Sequence, residues 1–423
     1  MISIITPVHK VGTPYLEEAY RQLLKQTYQG EWEWVIGLNN GGSVPGYIER
    51  NEHVHVIALK DELEGGRNKI GRLKKALATV AAGEILVELD ADDMLTVDAL
   101  EEINEAFKDP FIHMVYSNDA EFKDGSWESF AYSEYWGWRS RDFQFKSHDL
   151  KEMIAWSPSP QMMRRIEWSP NHVRAWRTSS YFVVGGHDET MPTADDHDLN
   201  CRFYLEYGAS GLKHIDKCLY LYRVHGENTC IVENNEVQAL TLQNYYKYVQ
   251  PMAERWAKDE GLDCVDLGGG TDPFPGFKTL DLFGGDITCD LNEMWALESD
   301  SVGVLRASHI FEHLRDPIHV MNEAYRVLAP GGFLFVEVPS TDGRGAFQDP
   351  SHVSFWNSNS FWYYTNREKA RFIPSYHGRF QVSRIDNYFP TDFEQLHNIV
   401  ITRADLIALK APYDNRPVGE VLI

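Results

Sequence analysis

The stretch that decides the fold is Ala81-Ala82-Gly83-Glu84-Ile85-Leu86-Val87-Glu88-Leu89-Asp90-Ala91-Asp92-Asp93. Its apolar run, Ile85 to Leu89, reads as a buried strand. The strand stops at Asp90-Ala91-Asp92, and a helical pattern from Lys69 to Ala81 precedes it, closed by Gly83. Working outward, strands are expected at Ile2 to Thr6, Trp32 to Leu38, Val54 to Leu59 and residues 112–116. Helices are expected at Tyr15 to Gln26 and residues 97–107. Strands alternating with helices at this spacing imply an α/β fold with a largely parallel sheet. Ligands in such sheets sit beyond the carboxyl ends of strands. The Asp90-Ala91-Asp92 turn and the Asn39-Asn40-Gly41-Gly42-Ser43 turn both fall there.

Residues 121–180 break the alternation. They hold Trp127, Trp136, Trp138, Trp156, Trp168 and Trp176, punctuated by Pro158, Pro160 and Pro170. Without clear periodicity they read as long acceptor-side loops shaping a site. A helical pattern runs from Leu240 to Asp259. A fresh strand, Cys264-Val265-Asp266-Leu267, then meets Gly268-Gly269-Gly270, which reads as a domain start. The boundary is placed near residue 258, giving domains 1–257 and 258–423.

The 423 residues include 63 acidic and 40 basic ones, for a net charge of −23. That balance argues against a broad grip on nucleic-acid phosphates. Two local basic clusters, Lys69/Arg72/Lys74/Lys75 and Arg164/Arg165/Arg174/Arg177, read as solvated faces. No cysteine pair has metal-site or redox spacing, which fits a reducing cytosol. The start of the chain does not read as a signal peptide, and no window approaches the length of a membrane span. A cytoplasmic location is therefore expected. Oligomeric state leaves no trace in the sequence.

Two carboxylates at a strand end suit a divalent cation that neutralises a leaving diphosphate, and a further carboxylate can take a proton from an acceptor hydroxyl. Several motifs give that chemistry a context. Ile4-Ile5-Thr6-Pro7-Val8 and the run from Gly66-Arg67-Asn68 to Asp93 resemble the core of the family 2 GT-A glycosyltransferases. So do Gly185-Gly186-His187-Asp188-Glu189, Ala194-Asp195-Asp196-His197-Asp198-Leu199 and Tyr222-Arg223-Val224-His225-Gly226-Glu227-Asn228-Thr229. The matches come in the family's order over about residues 1–230.

The resemblance implies inverting, metal-dependent transfer from a UDP- or GDP-sugar, with Mn2+ or Mg2+ as the cation. Asp90, Asp92 and His225 would hold metal and diphosphate. Pro7, Asn39, Asn40, Arg67, Lys69 and Asp90 would bind the donor. Asp196 would be the acceptor base. One departure stands out. Asn39-Asn40 replaces the family's D-D pair, so an uncharged amide would meet the nucleobase; it can both donate and accept. Asp195 and Asp198 have a plain alternative reading as helix N-caps.

In the second half, Val265-Asp266-Leu267-Gly268-Gly269-Gly270, Thr279-Leu280-Asp281, Asp286-Ile287-Thr288-Cys289-Asp290-Leu291, Ser308-His309-Ile310-Phe311-Glu312-His313 and Arg326-Val327-Leu328-Ala329-Pro330-Gly331-Gly332 resemble the class I S-adenosylmethionine methyltransferases. The resemblance covers about residues 258–390 and implies a Rossmann-like domain. Asp266, Gly268 and Gly270 would contact the methionine part of the cofactor, Asp281 the ribose, and Asp290 and Leu291 the adenine. Residues 346–352 look like an acceptor loop. His309, His313 and His352 are base candidates. His309, Glu312 and His313 would share a face if their segment were helical, but a structural or substrate role is favoured over a zinc site.

The expected whole is a bifunctional enzyme that adds a sugar to a glycan or other hydroxyl-bearing acceptor and methylates that sugar or a nearby group. Two alternatives are weighed: a modified nucleic-acid base as acceptor, and a second domain that binds S-adenosylmethionine only as a scaffold.

Overall fold

The computed structural model describes residues 1–58, 70–134, 138–164, 170 and 172–410. Arg67, Lys69, Trp136, Arg165 and Trp168 lie outside the described residues. The chain divides into two compact units, Met1–Tyr248 and Val249–Ile423.

The first unit is built on a ten-stranded sheet. Its strands are β1 (Ile2–Val8), β2 (Trp32–Leu38), β3 (Val54–Ala58), β4 (Ile85–Glu88), β5 (Met94–Leu95), β6 (Met114–Lys123), β7 (Ser140–Phe145), β8 (His148–Met153), β9 (Arg174–Arg177) and β10 (Leu212–Val224). The order along the sheet is β3-β2-β1-β4-β9-β6-β10-β5, with the β7–β8 hairpin joined through β8 to β6. The first four are mutually parallel, with Ile4 opposite Trp34 and Val87. Their near-continuous apolar runs are those of strands covered on both faces. Ile4, Trp34, Ile36 and Val87 pack into one core, and Ile5, Val35 and Leu86 into another on the opposite face.

The expectation of a largely parallel sheet needs correction. β9 is antiparallel to both β4 and β6, and β5 is antiparallel to β10. Parallel neighbours need a crossover, usually helical, and the β7–β8 hairpin stands where one would have to be. Residues 121–180 accordingly hold a hairpin and a strand as well as loops. Their aromatics pack on one another: the Trp138 and Trp156 rings are 4.7 Å apart, and Trp127 stacks on His148 at 4.4 Å. The strand expected at residues 112–116 runs on to Lys123. Its second half is polar yet buried, because Asn118 donates to Glu152 and Asp216 at 2.7 and 2.8 Å.

The second unit has a seven-stranded sheet of β11 (Asp263–Leu267), β12 (Lys278–Asp281), β13 (Ile287–Thr288), β14 (Val302–Ser308), β15 (Leu328–Pro339), β16 (Phe380–Tyr388) and β17 (Ile401–Ala408). The order is β13-β12-β11-β14-β15-β17-β16. Five strands are parallel, and β17 inserts antiparallel between β15 and β16. Strand order reverses between β11 and β14, the switch point at which such sheets bind ligands. The helix Pro317–Val327 joins β14 to β15 and is capped by Asp316, whose carboxylate accepts from the Ile318 and His319 N–H groups. Both sheets bear out the expected α/β class. Among the described residues no helix is long and apolar enough to cross a membrane, and the five cysteines form no disulfide.

Candidate functional site

Strand order in the first unit reverses between β1 and β4, and a cleft of about 840 Å³ opens beyond those strand ends. Pro7 is the penultimate residue of β1, Asn39 and Asn40 follow β2, and Asp90 and Asp92 follow β4; all five line the cleft. The Asn39 turn is held by its own backbone: the Asn39 N–H donates to the Val8 carbonyl at 2.9 Å, and the Gly42 N–H to the Asn39 carbonyl at 2.8 Å. Only glycine fits at 42, since a Cβ there would lie 2.2 Å from the Val8 oxygen. The Asn39 side chain is buried, and its amide oxygen has no hydrogen-bond partner among the described residues. Such an orphan is costly unless a ligand satisfies it.

Asp92 and His225, 133 residues apart in the chain, come together. His225 Nε2 lies 2.8 Å from Asp92 Oδ2, while His225 Nδ1 accepts from the Glu227 N–H at 3.2 Å. The hydrogen bond that His225 donates to the Asp92 carboxylate raises the His225 pKa. Asp90 turns inward instead. Its carboxylate and donor atoms of Glu88 and His172 lie within 4.8 Å of one another. Burial pushes the Asp90 carboxyl up to about 7; Lys74 opposes the rise, and Glu88 and Asp92 add to it. The expected trio of Asp90, Asp92 and His225 therefore shares the cleft without closing into one tight ligand set. Asp93 braces the turn: it accepts from the Tyr220 hydroxyl at 2.8 Å and from the Arg223 N–H at 2.7 Å.

Beneath the turn lies an ionic cluster. Glu88, fully buried on β4, pairs with Lys74 at 3.1 Å, Arg174 at 3.2 Å and His187 at 3.3 Å. Lys74 also reaches Asp195 at 3.5 Å, and Arg174 reaches Asp196 at 2.6 Å. Neither Asp195 nor Asp198 caps its helix. The cap position of Asp195–Tyr207 is Ala194, with no side-chain bond, while Asp195 faces the cluster and Asp198 pairs with Arg202. Burial alone would raise the Asp196 pKa, but Arg174 and Lys74 outweigh it and hold it at about 2. His172 is driven the other way, to about 3, by burial and by Arg174.

Lys74, Glu88, His172, Arg174 and His187 were not among the expected site residues. The sequence places Lys74 and Arg174 in basic clusters expected to be solvated; the structure corrects this, since both are buried and central to the site. One signal for Glu88 was available, a lone acid inside an apolar strand.

In the second unit the glycine turn follows β11, with Gly268 at φ 71° and Gly270 at φ 54°. The Asp281 carboxylate spans the turn, accepting from the Gly270 N–H at 3.1 Å and the Phe283 N–H at 2.8 Å. Asp266 is buried; it accepts from Arg306 at 3.0 Å and from the Phe274 N–H at 2.9 Å. Asp290 is exposed and bonded to Asn292, whereas the Leu291 side chain is 4% exposed and packs in the core, away from the loop surface. The segment after β14 is a single 3-10 turn, Phe311–His313, preceded by His309 at φ 55°. His309, Glu312 and His313 thus share no helical face. His309 Nδ1 still reaches Glu312 Oε1 at 3.5 Å, and His313 instead meets His352, with ring centroids 5.0 Å apart.

Residues 3–166 match the family described as Glycosyl transferase family 2, and residues 241–380 match a methyltransferase domain. The chain is similar to the O-antigen biosynthesis protein RfbC of Myxococcus xanthus, at 26% identity over 228 residues. That match takes in 52% of this chain and 16% of RfbC. Among solved structures it is similar to S. aureus TarS 1-349 in complex with UDP, at 17% identity and a TM-score of 0.40, over 62% of this chain and 72% of that one. For the same protein in complex with UDP-GlcNAc the identity is 16% and the TM-score 0.42, over 62% and 72%. Residues 3–166 thus form a family 2 glycosyltransferase domain and residues 241–380 a methyltransferase domain, a pairing that indicates a transferase.

Proposed function

We propose that the first unit transfers a sugar from a UDP- or GDP-sugar to the hydroxyl of a glycan or similar acceptor, with inversion, and that the second unit methylates the product or a neighbouring group from S-adenosylmethionine. The observation that carries the first half is the charge of the cleft. Among the described residues its lining holds eight carboxylates, Asp90, Asp92, Asp195 and Asp196 among them, against the three permanent cations Lys10, Lys74 and Arg174. A nucleotide diphosphate enters such a cleft only with a cation of its own. The short carboxylates of Asp90 and Asp92, with the His225 imidazole, suit Mn2+ or Mg2+. When bound, that ion neutralises the leaving diphosphate.

The chain's own residues do the rest. Asn39 offers its unsatisfied amide oxygen to the base, with Pro7 and Asn40 beside it. Asp196 accepts the acceptor's proton. Arg174 keeps it ionised, so it takes that proton late, as the new C–O bond acidifies the hydroxyl. In the second unit Gly268 and Gly270 let the cofactor approach, Asp281 bonds its ribose, and Asp266 holds the loop in shape. Asp290 and Leu291 border the adenine, Leu291 through its backbone. S-adenosylmethionine supplies an activated methyl group, so alignment carries much of the rate, and His309 and His352 are the proposed bases.

The test is a thermal-shift screen of nucleotide sugars with and without Mn2+, followed by mass analysis of product with and without S-adenosylmethionine. A metal-dependent shift with one nucleotide sugar, and a further 14 Da on the product when the methyl donor is present (roughly one CH2 added per transfer), are expected. No shift with any nucleotide sugar would overturn the first half. Sugar transfer without methylation, and no heat on titration with S-adenosylmethionine, would overturn the second.

A further inference from the structure

Two segments distant in sequence are braced together beyond β14. The Val353 and Ser354 N–H groups both donate to the Glu312 carbonyl, at 2.8 and 3.0 Å, and the Ser354 hydroxyl donates to the Phe311 carbonyl at 2.8 Å. The bracing gathers a carboxylate oxygen of Glu312 and one ring nitrogen each from His313 and His352 within 4.8 Å of one another.

Two further observations point to a ligand. Glu312 is 2% exposed, and its Oε2 atom has no hydrogen-bond partner among the described residues. Both imidazoles are tethered through Nδ1 to backbone carbonyls, His352 to Ala346 at 2.9 Å and His313 to Ser351 at 3.2 Å. A ring that donates from Nδ1 to a carbonyl carries its lone pair on Nε2. This is how metal-binding imidazoles are oriented by their outer partners.

We propose that Glu312, His313 and His352 hold a divalent cation, and that the cation receives the acceptor oxygen in methyl transfer. Two imidazoles and one carboxylate favour zinc, cobalt or manganese over magnesium or calcium, and leave coordination positions open to a substrate. The place suits the task. Ile310, in the same turn, presses on the glycine loop, where a Cβ on Gly268 would meet its Cγ1 at 2.6 Å. Phe347 and Phe355 bracket His352 in sequence, are 63% and 51% exposed, and stack at 5.3 Å. They offer an apolar platform to the face of a sugar ring.

The cation lowers the pKa of the acceptor hydroxyl. The oxygen then attacks the methyl carbon; the O–CH3 bond forms as the S–CH3 bond breaks, the sulfonium leaves as a neutral thioether, and the hydroxyl proton passes to water or to His309. His352 is then a ligand and no longer the base. The cation site stands on this geometry; its use in methyl transfer rests on the function proposed for the second unit.

The experiment is a Co2+ titration of the full chain carrying Asp92→Asn, which weakens the first unit's metal site, followed by visible absorption. One equivalent of bound cobalt with d–d bands is expected. His313→Gln, and separately the near-isosteric Glu312→Gln, should each weaken cobalt binding at least 10-fold, a loss on the order of those seen at metal sites, with melting temperature showing that the chain is folded. Absent bands, or bands unchanged in both folded variants, overturn the cation site. Calorimetry with S-adenosylmethionine on the same samples separates the two readings. Cofactor binding without cobalt sinks the cation site alone; cobalt without cofactor binding sinks the methyl-transfer role alone.

Discussion

Arg174 Nη1 lies 2.6 Å from Asp196 Oδ2, and the same guanidinium reaches Glu88 Oε1 through Nη2 at 3.2 Å. One buried cation thus ties the proposed acceptor base to the end of β4, just before the turn that carries Asp90. Asp196→Asn should reduce sugar transfer by ~10²-fold or more and leave nucleotide-sugar affinity unchanged. Because Arg174 holds the carboxyl at about 2, protonation of Asp196 in the folded enzyme should not limit the rate at any pH well above that value. Steady-state kinetics and donor titration check both statements, and undiminished turnover in the variant removes Asp196 from the role.

Lys74 faces Glu88 and Asp195 with its side chain 7% exposed. Lys74→Met would leave two buried carboxylates short of a cation. Breaking such a group costs about 3–5 kcal/mol, which a urea midpoint at neutral pH would register. A change within about 0.5 kcal/mol, the size of an ordinary surface substitution, would mean that the cluster contributes little to stability.

His172 supplies a pH dependence of definite sign. Its pKa is depressed to about 3 in the folded chain by burial and Arg174, against about 6.5 when unfolded. The stability from keeping it neutral is therefore present above about pH 6.5 and lost as the pH falls toward 3, by up to about 1.4 kcal/mol per pH unit. Melting curves from pH 7.5 to 4.5 should fall more steeply for the wild type than for His172→Gln. Parallel curves would show that this imidazole does not resist protonation.

Asn39 holds the orphaned amide oxygen at the cleft. Asn39→Ala should weaken nucleotide binding about 5–10-fold, the worth of one hydrogen bond. Asn39→Asp keeps an acceptor but loses the donor, so it should change the ratio of UDP to GDP affinity. Equal losses for both nucleotides would place Asn39 away from the base.

Asp281 accepts two backbone N–H groups, from Gly270 and Phe283. Asp281→Ala should lower S-adenosylmethionine affinity at least ~10-fold, as expected for losing hydrogen bonds to a charged group, with sugar transfer unaffected. Asp281→Asn should recover part of the loss by keeping an oxygen for the Gly270 N–H. If both activities fell together, the two units would not work independently.

Much of this is legible in the sequence. Strands covered on both faces read as apolar runs, so β1, β2 and β4 and the turns that follow them were found where they lie. Polar pairing hid the rest. β6 continues through Asn118 because partners across the sheet satisfy it, and no hydrophobic period marks that. The β7–β8 hairpin, Ser140–Phe145 with His148–Met153, is charged and half exposed, so it resembled a loop. Lys74 looked like its neighbour Lys75 on the same helix, yet helical geometry sends one to Glu88 in the interior and the other to Glu189 at the surface. His352 and His313 are far apart in the chain, and they meet through bonds between their two segments, those to the Glu312 carbonyl among them.

The excess of carboxylates lining the first unit's cleft has a kinetic consequence. A free diphosphate meets its own sign of charge there, so the order of arrival is constrained: the ion enters first, or the donor enters already carrying it. Initial-rate patterns at varied Mn2+ and nucleotide sugar should accordingly be ordered rather than random, and chelation should raise the apparent donor KM before it lowers the limiting rate.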